Sequence, residues 1–85
     1  MPELSRFLGI IIAMYYRDHP PPHFHAIYGE YEITVEIVSG AVNGTMPARA
    51  LSHIQEWRVL HQAELLEAWE LAQNLQPLPN IRPLE

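Results

Sequence analysis

The chain has 85 residues, ten Asp and Glu against five Arg, no Lys and no Cys, for a formal net charge of −5. That length holds one domain around one core, and the missing Cys excludes a disulfide framework, a thiolate metal site and a cysteine nucleophile. Duplex nucleic acid is held largely through neutralised phosphates, so an acidic chain without Lys argues against direct DNA binding, and repulsion from anionic headgroups argues against a membrane surface.

The first strand is predicted over about Ser5 to Arg17, because Ile10-Ile11-Ile12-Ala13-Met14-Tyr15-Tyr16 is rich in β-formers and short for a helix. The apolar stretch from Gly9 stops at Arg17-Asp18. It is too short for a bilayer span and does not read as a signal peptide, and a Cys-free chain suits a reducing compartment, so a cytoplasmic protein is expected. Pro20, Pro21 and Pro22 then interrupt any ladder and favour extended polyproline geometry. A second strand is predicted from His23 to Tyr28 and a third from Tyr31 to Val38.

Gly29-Glu30 reads as a two-residue hairpin loop, with Gly at the first position of a type II′ turn. That loop fixes a register. Tyr28, Ala26 and Phe24 face Tyr31, Ile33 and Val35 on one apolar side, while Ile27, His25 and His23 face Glu32, Thr34 and Glu36 on the other. A one-residue slip would scramble this separation.

A further turn near Ser39-Gly40 leads to an edge strand over Ala41 to Thr45, with Thr45 as a helix cap and Pro47 in the first turn. From Ala48 to about Asn74 the residues Ala50, Ile54, Trp57, His61, Leu65, Ala68 and Ala72 recur at spacings of three and four, a helical stripe. A single helix over that span would be about 40 Å long, longer than the domain, so a break is expected near His61 to Ala63. Pro77, Pro79 and Pro83 make the C-terminus an extended tail. The expected domain is therefore 1–85, with a sheet half over about 4–46, a helical half over about 47–75 and a proline-rich tail over 76–85. The fold class is α+β: an antiparallel sheet of three to four strands with two helices on one face, ββββαα.

The string Met14-Tyr15-Tyr16-Arg17-Asp18-His19-Pro20-Pro21-Pro22-His23-Phe24-His25-Ala26, followed by Tyr28-Gly29-Glu30-Tyr31, resembles a bacterial family known as domain of unknown function 4160. The resemblance continues through Pro47, Arg49-Ala50-Leu51, Glu56-Trp57, Leu60-His61, Glu64-Leu65 and Trp69-Glu70, and so covers essentially the whole chain. It implies a small stand-alone bacterial protein and a toxin-antitoxin-like two-gene arrangement, often with a neighbour from uncharacterised family 2442. It assigns no catalytic residue. Ala13 stands where relatives are expected to carry a basic residue, which weakens an anion-binding role for the open sheet face.

His23 and His25 point to one side of their strand, about 7 Å apart at Cα. Tyr15 and Arg17 are expected beside them on the first strand, with Glu32 and Glu36 on the third. Zinc, nickel or copper suits such imidazoles, with Glu36 or His19 as a third ligand. His19 reaches the site only if the chain turns, since straight polyproline geometry holds it about 12 Å away. The same His23, His25, Arg17 and Tyr15 also suit metal-free acid-base work such as RNA cleavage, with two histidines trading a proton and Arg17 holding phosphate. The plainest use is structural: His23 paired with Glu36, and His25 bonded to Thr34.

The open face is somewhat apolar for bare solvent, with Ile11, Ala13, Tyr15 and Ile27 beside the histidines. A protein-binding module is therefore the leading expectation, either self-associating or docking a partner through Tyr15, Arg17, Ile27 and Glu32. The remaining tyrosines read as strand packing, Trp57 and Trp69 as core, and His53 and His61, eight apart, as no close ligand pair.

Overall fold

A computed structural model describes residues 2–84. Five antiparallel strands form one sheet in sequence order: β1 (Glu3–Phe7), β2 (Ile10–Ala13), β3 (His23–Tyr28), β4 (Tyr31–Glu36) and β5 (Val42–Asn43). Two helices follow, α1 (Ala48–Leu60) and α2 (Gln62–Gln73). The fold is α+β as expected, with one strand more than the expected three to four.

The extra strand comes from the region expected to run unbroken from Ser5 to Arg17. The chain instead folds back at Leu8-Gly9, both at positive φ (51° and 80°), and pairs Phe7 with Ile10 and Ser5 with Ile12. Positive φ at both central positions is the geometry of a tight hairpin turn. Leu8 is an unusual first residue for such a turn, which hid it in the sequence. Folding back lets Phe7 be buried together with Ile10 and Ile12, where one long strand would have turned Phe7 to the opposite face. The strand also ends early. Residues 14–22 leave the sheet as a loop.

The β3–β4 register is the one the Gly29-Glu30 turn predicts, from Tyr28 opposite Tyr31 to His23 opposite Glu36. Phe24, Ala26, Ile33 and Val35 are fully or almost fully buried against the helices, while Tyr28 and Tyr31 sit exposed at the hairpin tip. Trp57 closes this core, its ring 5.5 Å from Phe7 and 5.8 Å from Phe24. The helical stripe packs as expected through Ala50, Ile54, Trp57, Leu65, Ala68 and Ala72. The helix breaks at His61, where φ is −120° and ψ 26°. A straight helix of about 40 Å would overrun a domain whose longest dimension is 33 Å.

Thr45 does not cap α1. The N-cap is Pro47, with no side-chain capping bond. The tail is extended but packs on the domain: Ile81 is buried, its N–H bonds Leu4 O at 2.8 Å, and Trp57 Nε1 donates to Arg82 O at 2.9 Å.

Arg58 ties the helices to the turn after β4. Its Nη1 donates to Ile37 O at 2.9 Å and its Nε to Gln55 Oε1 at 2.8 Å. Gly40 packs on that guanidinium at φ +80°, and a Cβ there would meet Arg58 Nη2 at 2.7 Å. Gly40→Ala therefore combines an unfavourable backbone conformation with a clash against an anchored side chain, and should cost more than about 1 kcal/mol in urea denaturation. An unchanged midpoint would contradict both the strained backbone at Gly40 and the anchored Arg58.

Candidate functional site

β3 places His23 and His25 on the sheet face opposite Phe24 and Ala26, as side chains alternate along a strand. The loop 14–22 brings a third group to them. It is pinned to the end of α2 by Arg17 N–H to Ala72 O at 3.3 Å and by Gln73 Nε2 to Asp18 O at 3.2 Å. Its far end is held where Ile37 N–H bonds Pro22 O at 3.0 Å. Between these anchors Asp18 turns inward, with its side chain 17% exposed.

The two oxygens of Asp18 do different work. Oδ1 accepts the His19 backbone N–H at 2.8 Å and faces His19 Nδ1 at 2.9 Å. Oδ2 lies 2.9 Å from His23 Nε2 and 3.4 Å from His25 Nε2. The nearest ligand atoms of Asp18, His23 and His25 all lie within 4.8 Å of one another.

Partner chemistry assigns the protons on His23. Its Nδ1 lies 2.8 Å from Pro21 O, a carbonyl that can only accept, so Nδ1 carries a proton. In the neutral ring Nε2 then has a lone pair, and it faces a carboxylate oxygen. That contact needs a cation between the two: either a second proton, making imidazolium, or a metal ion. His23 is buried, with its ring 5.3 Å from Trp69 and 5.5 Å from His25. His25 Nδ1 is buried with no hydrogen-bond partner; Glu32 Oε2 is 3.3 Å away, within ion-pair range but not aligned as a hydrogen bond. Tyr15 packs edge-on to His25 with ring centres 4.4 Å apart.

The cluster lines a pocket of about 350 Å³ shared with Tyr15, His19, Pro21, Thr34, Glu36 and Asn43. Of the residues singled out in the sequence, His23, His25, Tyr15, Glu36 and His19 meet there. Three expectations change. His19 is not held apart: the connection turns, its Pro20–Pro21 bond is cis, and the His19 ring lies 5.4 Å from that of His23. His23 faces Glu36 in register but bonds Asp18 and Pro21 O, while Glu36 Oε1 accepts from Ser39 Oγ at 2.9 Å. His25 likewise turns its Nε2 to Asp18, although Thr34 is its register partner. For His23 the loop delivers a carboxylate closer than the neighbouring strand does, whereas His25 lies between two, Asp18 Oδ2 from the loop at 3.4 Å and Glu32 Oε2 from β4 at 3.3 Å.

Arg17 sits in the loop at φ 53°, exposed and outside the pocket. Ile27 is half-buried on the open face, in register with Ile11 on one side and Glu32 on the other. Asp18 is the residue that sequence reasoning passed over, reading it only as the end of an apolar run. The available signal was its position next to a proline-bearing turn, where Asp accepts local backbone N–H bonds.

A carboxylate–imidazole cluster between one face of a five-stranded sheet and the end of α2 defines a small α+β domain with a candidate ligand site. The chain belongs to the family described as domain of unknown function DUF4160, whose profile matches residues 9–70. No curated protein and no solved structure matches it. Among the described residues, no helix is long and apolar enough to cross a membrane.

Burial works against ionised Asp18, but the His19 backbone N–H, the His25 hydrogen bond and the nearby His23 outweigh it and hold its pKa below the ordinary aspartate value. A lowered folded pKa contributes stability that is full above the unfolded value, about 3.9, and is lost as pH falls through the folded one. Metal-free protein should therefore exceed Asp18→Asn in stability at pH 6, and the gap should close below about pH 4. Urea denaturation at both pH values checks this; a gap that does not change with pH would contradict it.

Proposed function

We propose that the chain is a metal-binding protein whose centre is Asp18 with His23 and His25, suited to zinc or nickel. The observation that carries this reading is the Nε2 of His23, facing Asp18 Oδ2 at 2.9 Å while its Nδ1–H is committed to Pro21 O at 2.8 Å. Metal-ligating histidines usually give their other ring N–H to a backbone carbonyl or carboxylate, which fixes the tautomer and aims the free nitrogen. Pro21 O does this for His23, and Glu32 stands on the corresponding side of His25. Imidazole and carboxylate donors suit zinc and nickel, and a divalent ion here would offset part of the acidic charge.

With a proton in place of the metal, the same contact is an imidazolium–carboxylate pair suited to acid-base work. Arg17 lies outside the pocket, so a ribonuclease would lack the phosphate-holding cation that reading requires. A protein-binding role through the sheet face rests on a different observation. Ile11 and Ile27 pair on the side away from the helices, with Tyr15 and Tyr16 exposed nearby. In that reading the chain is a bacterial cytoplasmic protein that self-associates or docks the product of a toxin-antitoxin-like neighbour. Size-exclusion chromatography with light scattering, alone and with the co-expressed neighbour, decides it: a monomer that ignores the neighbour would rule it out.

Calorimetric titration of the metal-free protein with zinc and with nickel tests the principal reading. One ion per chain is expected, and Asp18→Ala and His25→Ala should each weaken binding at least about tenfold. His53→Ala, remote from the cluster, should leave it unchanged. No heat of binding with either ion, together with no metal by elemental analysis after reconstitution, would remove the proposal.

A further inference from the structure

Resting on that reading, we propose that the centre is hydrolytic: a metal-activated water attacks an ester or amide carbonyl of an uncharged or cationic substrate, with Glu36 as the base. Structural zinc sites are closed by four protein ligands, whereas hydrolytic ones use three and leave a position for water. Here three donors converge within 4.8 Å, and they do so on the wall of an open pocket of about 350 Å³. That volume lies at the small end of ligand pockets, enough for an acyl group or a short peptide segment.

Glu36 is placed for the base. It lies directly opposite His23 across the β3–β4 ladder, which puts its Cβ about 5 Å from that of His23 on the same face. It lines the pocket, and the Ser39 hydroxyl holds one carboxylate oxygen at 2.9 Å. The other oxygen is left for the water. Tyr15, Thr34 and Asn43 supply further hydrogen-bonding groups around the same space.

The lining also selects the substrate's charge. It contains no Arg and, with the chain's lack of Lys, no permanently cationic side chain, while Glu36 adds a negative charge beyond Asp18. A phosphodiester would meet that carboxylate with the metal ion alone, and no guanidinium, to hold it. A neutral or cationic carbonyl compound meets no such repulsion. In the reaction, Glu36 takes one proton from the coordinated water and the resulting hydroxide adds to the carbonyl carbon. The C–O or C–N bond then breaks, and Glu36 returns the proton to the leaving alkoxide or amine. The products are a carboxylic acid and an alcohol or amine, with no change of oxidation state.

The probe is hydrolysis of p-nitrophenyl acetate by the full chain, with metal occupancy measured on the same samples. Zinc-loaded protein should exceed the metal-free chain, whose histidines supply the background rate, by at least about 10²-fold. Glu36→Gln should lose about 10²-fold or more in kcat while binding zinc with unchanged affinity. Bound zinc with no rate above the metal-free background, or a Glu36→Gln variant as fast as the parent, overturns the hydrolytic inference and leaves metal binding standing. Failure to bind zinc overturns both.

Discussion

A single carboxylate oxygen, Asp18 Oδ2, lies between the Nε2 atoms of His23 and His25, and the surrounding structure holds that arrangement in place. Bringing a charged carboxylate and two polar rings out of water is unfavourable unless each finds a partner. His23 meets this condition at both nitrogens. Asp18 meets it through His19 on one oxygen and the two imidazoles on the other. His25 does so only in part, with Nδ1 unbonded and Glu32 misaligned beside it. On the proposed reading, the Nε2 contacts with Asp18 Oδ2 are where an ion or a shared proton would sit.

The sheet and the helices contribute separately to that arrangement. The β3–β4 register sets the spacing of the histidines, because the hairpin turn fixes which residues face which side. The helices set the position of the carboxylate, because the Asp18 loop is bonded to Ala72 and Gln73 near the end of α2. Trp69 on α2 links the two, since its ring belongs to the buried core and lies 5.3 Å from that of His23. Movement of α2 against the sheet would thus shift Asp18 and Trp69 together relative to the histidine pair.

Local rules made the sheet legible where they were strong. Gly29-Glu30 between two alternating segments specified the β3–β4 ladder residue by residue, and the three-four spacing from Ala50 to Ala72 specified the buried helical stripe. The turn at Leu8-Gly9 was not legible, because leucine at positive φ carries no turn signal and the isoleucines beside it suit a longer strand equally well. Burial of Phe7 opposite Ile10 decides that choice, and burial is a tertiary property. The same holds for the site. Alternation showed that His23 and His25 share a face, but Asp18 reaches them through contacts with residues more than fifty positions away along the chain. Periodicity within a strand does not record where a loop is tied down.

Alternation along β3 also keeps the polar cluster from weakening the core. Phe24 and Ala26 carry the apolar packing while His23 and His25 carry the polar contacts, so one six-residue strand serves both without a polar group entering the hydrophobic layer. His23 is the exception, since its ring is buried and rests near Trp69. A charge change at His23 is therefore felt by the packing of α2, whereas a change at His25, whose ring meets Tyr15 and the pocket, is felt mainly by what occupies the pocket. The two histidines are equivalent in the strand pattern and unequal in the folded chain. His23 couples the site to the packing of α2, and His25 couples it to Tyr15 on the pocket wall.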